Sequence, residues 1–227
     1  MSAGDPHVVK VKLLLCGNPA VGKSCLSTRF VDNVFDEAST VTVAAETFRF
    51  VYAPTDLPMN AVDPDTNRVF ERTSVQLNIW DCPGQVNLLT ATPSALRNAD
   101  AAFLCFDVTS RTSFDAVPQW AQLVQRYSPD CICIIIGTKA DLNRERTVLP
   151  ADADEAARRL RMPFFETSAK DASNVTQTFL FIAENLRRRW YANRPREDRA
   201  RKDDPPPRVV LSPNSDPVAR SSKGCPC

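Results

Sequence analysis

A single histidine, His7, in a chain of 227 residues leaves little room for imidazole chemistry. Ser-His-Asp triads, histidine-ligated zinc and imidazole acid–base catalysis are thereby disfavoured. An excess of charge of one sign is also missing. A net charge of +1, with 24% charged residues, sets up no global field for nucleic acid, so any basic partner surface must be local. Long hydrophobic runs are absent too: stretches such as Cys131 to Ile136 fall far short of the roughly 20 residues that cross a bilayer. No signal peptide precedes the eight cysteines, most of which sit in apolar stretches, so they read as reduced residues of a cytosolic protein. Cys131 and Cys133 share one strand face, but without a second pair they fit core packing better than a metal site.

Glycine is scarce: six residues, where an average usage of about 7% would give roughly sixteen. Four of the six, Gly17, Gly22, Gly84 and Gly137, fall in three short motifs. A chain this sparing keeps glycine where the backbone needs positive φ or must approach a ligand closely. Proline is distributed differently, seven of eighteen lying after residue 193.

What is present alternates between strand and helix patterns. Residues 8–16 read as a strand leading into a glycine turn and the helix SCLSTRFVDN. Segments 46–52 and 74–80 read as an antiparallel pair, and 101–108 and 131–137 as buried strands of a parallel sheet. SFDAVPQWAQLVQRY reads as one helix, with Pro118 tolerable only near its first turn. ADADEAARRL as a short amphipathic helix, FFETSAK as a final strand with its exit loop and a terminal amphipathic helix from Asn174 complete the pattern. Asn174-Val175-Thr176 fits a glycosylation acceptor, but at a helix start it is better read as a cap. The alternation implies an α/β fold: a mainly parallel six-stranded sheet, helices on both faces, and ligand loops at the strand carboxyl ends.

Four motifs occupy those loops. Gly17-Asn18-Pro19-Ala20-Val21-Gly22-Lys23-Ser24 matches G-x-x-x-x-G-K-[ST] between a strand and a helix, as a phosphate-binding P-loop requires. Such a loop wraps phosphates with backbone N–H groups; Lys23 would reach the β- and γ-phosphates and the Ser24 hydroxyl would bind Mg²⁺. In Asp81-Cys82-Pro83-Gly84-Gln85, Asp81 can hold the metal's water shell, Gly84 can bring its N–H to a γ-phosphate, and Gln85 can orient an attacking water. In Thr138-Lys139-Ala140-Asp141, the carboxylate can accept from N1–H and the 2-amino group of guanine while the lysine stem covers a base face. Thr167-Ser168-Ala169-Lys170 can present the Ala169 N–H to the guanine O6.

With these four motifs in order, residues 8–192 resemble the Ras-like small GTPases, a family with the P-loop NTPase fold. The resemblance implies nucleotide contacts from Gly17, Pro19, Ala20, Val21, Gly22, Lys23, Ser24, Cys25, Gly84, Thr138, Lys139, Asp141, Ser168, Ala169 and Lys170. It also implies Phe35 against the base, Thr42 as the switch I threonine, Mg²⁺ held by Ser24, Thr42 and Asp81, and Gln85 as the catalytic residue. The Rab branch is most similar, through LNIWDCPGQ at 77–85, FDVTSRTSF at 106–114 and the terminal Cys225-Pro226-Cys227, which resembles a doubly geranylgeranylated ending and is not a C-a-a-X box. It implies a GTP/GDP switch of vesicular traffic that hydrolyses GTP slowly. It further implies a cytoplasmic protein attached peripherally to the cytosolic face of an endomembrane, partnered by an exchange factor, an activating protein, effectors and a prenyl-binding chaperone.

The departures are as specific. Thr47 stands where an aromatic effector contact is usual, Ala95-Leu96-Arg97-Asn98-Ala99 replaces a Tyr-Tyr-Arg-Gly-Ala run, and only Trp80 of three effector aromatics remains. Thr138 replaces the usual asparagine, as in Rho proteins, though the Rho insert helix and C-a-a-X box are missing. Between Thr42 and Asp81 lie 38 residues, roughly sixteen more than the family pattern needs, with the surplus near 53–70. The expected organisation is a G domain over 1–193 and a disordered tail over 194–227, whose three consecutive prolines and few apolar side chains cannot offset ordering entropy. Pro19, Pro83 and the altered effector face keep open a non-cycling nucleotide-bound scaffold, or another signalling GTPase of the superfamily.

Overall fold

The structure, a computed structural model, describes residues 8–37, 42, 45–53, 74–85 and 93–193. The chain divides into two units, Met1–Ala192 and Asn193–Cys227. Most of the 53–70 surplus and the whole of 194–227, Cys225 and Cys227 included, lie outside the described residues.

Six strands form one sheet in the order β2-β3-β1-β4-β5-β6: β1 Val8–Cys16, β2 Glu46–Tyr52, β3 Ser74–Asp81, β4 Ala101–Asp107, β5 Ile132–Thr138 and β6 Phe164–Glu166. Every pairing is parallel except β2 with β3, which is antiparallel. The helices are α1 Lys23–Asp32, α2 Pro93–Leu96, α3 Arg111–Asp115, α4 Val117–Tyr127, α5 Pro150–Leu160 and α6 Val175–Asn193. Among the described residues no helix is long and apolar enough to cross a membrane.

The period of two along the strands sorts the core into two layers. Leu13, Leu15, Phe103, Ile134 and Ile136 face one side, packed with Leu26 of α1 and Phe179 and Ile182 of α6. Leu14, Cys16, Leu104, Phe106 and Ile135 face the other, packed with Trp120 and Val124 of α4 and Ala153 of α5. Central strands covered on both faces explain why β4 and β5 read as continuous apolar runs.

Two local expectations are corrected. The segment 113–127 is not one helix: α3 ends at Asp115, Ala116 intervenes, and Pro118 sits in the first turn of a new helix. Proline lacks the N–H that a helix interior needs, so the chain restarts where the ring costs nothing. The Asn174 side chain does not cap α6; its amide donates to the Glu166 carbonyl at 2.9 Å, while its backbone carbonyl accepts from the Thr178 N–H and hydroxyl.

Candidate nucleotide site

The loop between β1 and α1 lies at the carboxyl edge of the sheet. Gly17 is dictated by a close approach, since a Cβ there would collide with the carbonyl oxygen of Cys105 on β4. Gly22 takes φ +92° immediately before α1, a conformation open to residues without a Cβ. Lys23 is buried and its ammonium donates to the carbonyls of Gly17 and Asn18, both at 2.9 Å, so the side chain lies across its own loop. The buried indole of Trp120 donates to Asn18 Oδ1 at 2.9 Å and fixes the loop's outer edge to α4.

Three oxygens meet beside that loop. The Ser24 hydroxyl donates to Asp81 Oδ2 at 2.5 Å and lies 2.7 Å from Thr42 Oγ1, which is itself 3.4 Å from Asp81 Oδ2. The second carboxylate oxygen, Asp81 Oδ1, is buried and has no partner among the described residues. Burial lifts the Asp81 carboxyl above its usual range, against the hydrogen bond from Ser24 and the nearby charge of Lys23. Adjacent ligands of an octahedral Mg²⁺ at 2.0–2.1 Å are separated by about 2.9 Å, so these oxygens have the chemistry and spacing of a magnesium donor set. Ser24, Thr42 and Asp81 would hold the ion, which when bound supplies positive charge at transferring phosphate oxygens.

Gly84, three residues past Asp81, packs directly on the phosphate loop: a Cβ there would run into the backbone of Asn18 and Pro19. The Pro19 ring therefore borders the start of the second switch segment. Gln85 is exposed and is not among the residues lining the cavity.

The base end is built from β5, β6 and their exit loops. Asp141 Oδ1 accepts from the fully buried Ser168 hydroxyl at 2.7 Å, and Ser168 Oγ in turn accepts from the N–H groups of Lys170 and Asp171 at 3.2 Å. Asp141, a lining residue of the cavity, is thus held by one of its carboxylate oxygens. Lys139 pairs with Asp107 Oδ2 at 2.6 Å, and its Cε lies close to Gly22, so its stem runs against the phosphate loop. The Thr138 hydroxyl reaches two carbonyls, Val21 at 2.5 Å and Phe106 at 2.8 Å, with one proton to share. Thr167, whose N–H donates to the Gly137 carbonyl at 2.8 Å, buries a hydroxyl with no partner among the described residues.

A cavity of about 380 Å³ joins the two ends, lined by Pro19, Ala20, Gly22 to Cys25, Phe35, Thr42, Gly84, Thr138, Lys139, Asp141, Ala169 and Lys170, with Leu26, Asp36, Glu37, Leu142 and Thr167. Its size suits one nucleotide-sized ligand. Gly17, Val21 and Ser168 are buried and are not among the lining residues.

Several contributors escaped the sequence reading. Arg29 of α1 donates through Nε to the Ala169 carbonyl at 2.6 Å and through a terminal nitrogen to Lys170 at 3.1 Å, fixing the last loop. Arg146 grips Glu166 bidentately at 2.6 and 2.9 Å and ties the loop after Asp141 to β6. Exposed Glu37 pairs at 2.7 Å with Lys170, which the sequence does single out, and both line the cavity. None forms a local motif; only the proximity of Glu37 to Phe35 gave a signal.

This arrangement agrees with the similarity of the sequence to known proteins. The Ras family profile matches residues 12–188. Over 215 residues the chain is 34% identical to Ras-related protein RABD2a of Arabidopsis thaliana, covering 94% of this chain and 95% of that one. The chain belongs to the Ras family. Within it the chain is Rab-like, and the six-stranded sheet with its β1–α1 phosphate loop is the Ras-family G domain. The Ras family is a family of GTPases that use Mg²⁺, which fits the oxygen cluster around Ser24.

Proposed function

We propose that this Ras-family chain is a GTP/GDP switch that binds Mg²⁺-nucleotide, hydrolyses GTP slowly and regulates vesicular membrane traffic. The observation that carries the reading is the convergence of Ser24, Thr42 and Asp81 beside a phosphate loop closed by Gly84, because Thr42 and Gly84 come from the two segments that a γ-phosphate would hold. Asp141, held by Ser168, selects guanine by accepting two N–H donors that adenine lacks. Gln85 orients the attacking water when its segment closes on the nucleotide. An exchange factor, an activating protein and effectors complete the cycle. Cys225 and Cys227 carry two prenyl chains, delivered by a prenyl-binding chaperone, which attach the otherwise cytoplasmic protein to the cytosolic face of an endomembrane.

Single-turnover hydrolysis of GTP by the parent and Gln85→Leu proteins tests the enzymatic part. A clear fall in the variant supports it. Equal rates favour the second reading, a nucleotide-bound scaffold, which the Pro19 ring beside Gly84 supports by narrowing the room for glutamine and for an incoming arginine. Mass spectrometry of the C-terminal peptide from eukaryotic cells tests attachment: two prenyl additions are expected, and unmodified thiols on the membrane fraction would refute it.

A further inference from the structure

The nucleotide site leaves two buried thiols without a role. Cys16 ends β1, one residue before Gly17, and Cys82 follows Asp81 at the end of β3. The parallel register runs Leu14 with Trp80 and Leu15 with Asp81, and the Cys82 N–H continues the ladder by donating to the Leu15 carbonyl at 3.2 Å. That places Cys16 and Cys82 side by side on neighbouring strands. Both face the same core layer, whereas Cys105 of β4 faces the other. All three are reduced. Parallel neighbours lie about 4.8 Å apart, inside the roughly 4.4–6.8 Å window of Cα separations that a disulfide spans. The neighbouring Cys82 and burial push the Cys16 thiol up, and burial takes Cys105 to about 12, while the Cys82 sulfur itself donates to the Trp80 carbonyl at 3.6 Å.

We propose that Cys16 and Cys82 form an oxidation site, at which a hydroperoxide converts the two thiols into an intramolecular disulfide that ties the start of the phosphate loop to the start of the second switch segment. The Cys82 sulfur attacks the peroxide, the O–O bond breaks, and the leaving oxygen takes the Cys82 S–H proton to depart as the alcohol, giving a sulfenic acid. The Cys16 sulfur then displaces the hydroxyl, which departs as water with the Cys16 proton. The balance is two thiols and one hydroperoxide to one disulfide, one alcohol and one water. Both thiols are shielded from solvent, so the reaction proceeds when residues 82–85 lift from Pro19. The bond then holds Asp81 and Gly84 against the loop and slows the rearrangement through which nucleotide leaves; this consequence rests on the switch reading, whereas the disulfide itself does not.

The full-length chain, loaded with fluorescent GDP, is treated with hydrogen peroxide, alkylated and mapped by peptide mass. The expected result is a dithiothreitol-reversible Cys16–Cys82 peptide lighter by two hydrogens, absent from Cys16→Ser and from Cys82→Ser, with GDP release several-fold slower after oxidation and restored on reduction. Recovery of both residues alkylated, or linkage of either to Cys105, overturns the site. A disulfide that leaves release unchanged overturns its regulatory effect. Should the chain hold no GDP, that failure falls on the switch reading, and the map of the parent chain still decides the disulfide.

Discussion

The indole N–H of Trp120, on the second half of a broken helix, donates to Oδ1 of Asn18 in the phosphate loop at 2.9 Å. The donor is almost fully buried, so its only alternative is to go unpaired. An unpaired buried donor costs about 1–3 kcal/mol. Asn18→Leu is therefore expected to lower stability by that amount in denaturant unfolding and to speed nucleotide release. Asn18→Asp, which keeps an acceptor at the same place, is expected to restore most of both. Equal losses in the two variants would show that the bond does not position the loop.

Ser168 is expected to act on guanine through Asp141. Its hydroxyl donates to one carboxylate oxygen, and a hydrogen bond to a charged group contributes about 1.5–3 kcal/mol. Ser168→Ala should weaken GDP binding about tenfold to a hundredfold while leaving the preference over ATP intact. Asp141→Asn should instead shift preference toward xanthine nucleotides, because the new amide donates where the carboxylate accepted. Titration of both variants with labelled nucleotides separates a positioning role from a reading role.

Thr138 shares one proton between two carbonyls, and the neighbouring Thr167 hydroxyl has no partner among the described residues. An asparagine at 138 would bring two donors and an acceptor of similar size. Thr138→Asn is expected to raise stability by about 1 kcal/mol, the net worth of one added hydrogen bond, visible as a higher Tm. A lower Tm would mean that the branched side chain, packed under the loop, matters more than its hydrogen bonding.

Pro19 packs on Gly84 through its backbone and lines the cavity, where its ring takes up room that a glycine would leave. Pro19→Gly should increase stimulation by an activating protein, because an arginine finger supplies about 10³–10⁵ in rate and needs room to enter. Unchanged stimulation across a panel of activating proteins would place the obstacle elsewhere.

The legible parts of this molecule were those whose physics is local in sequence. Continuous apolar runs at 101–108 and 131–137 announce the central strands Ala101–Asp107 and Ile132–Thr138, and the spacing from Gly17 to Ser24 announces the phosphate loop. The motifs themselves point to Ser24 and Asp81 and the resemblance adds Thr42, and the oxygens of the three meet. The hidden contributors come from distant segments: Asn18 and Trp120 are 102 residues apart, and Arg29 and Ala169 are 140 apart. No periodicity encodes such pairs. The break at Ala116 was missed because the apolar spacing continues through it while the backbone, obliged by Pro118, does not.

Competition for one labelled nucleotide tests the central claim most directly. With the full-length chain in Mg²⁺, unlabelled GTP and GDP should displace labelled GDP while ATP at the same concentration does not, and removing Mg²⁺ with a chelator should accelerate release. Efficient displacement by ATP, or release indifferent to Mg²⁺, would contradict a guanine-nucleotide switch built on Asp141 and on the oxygens of Ser24, Thr42 and Asp81.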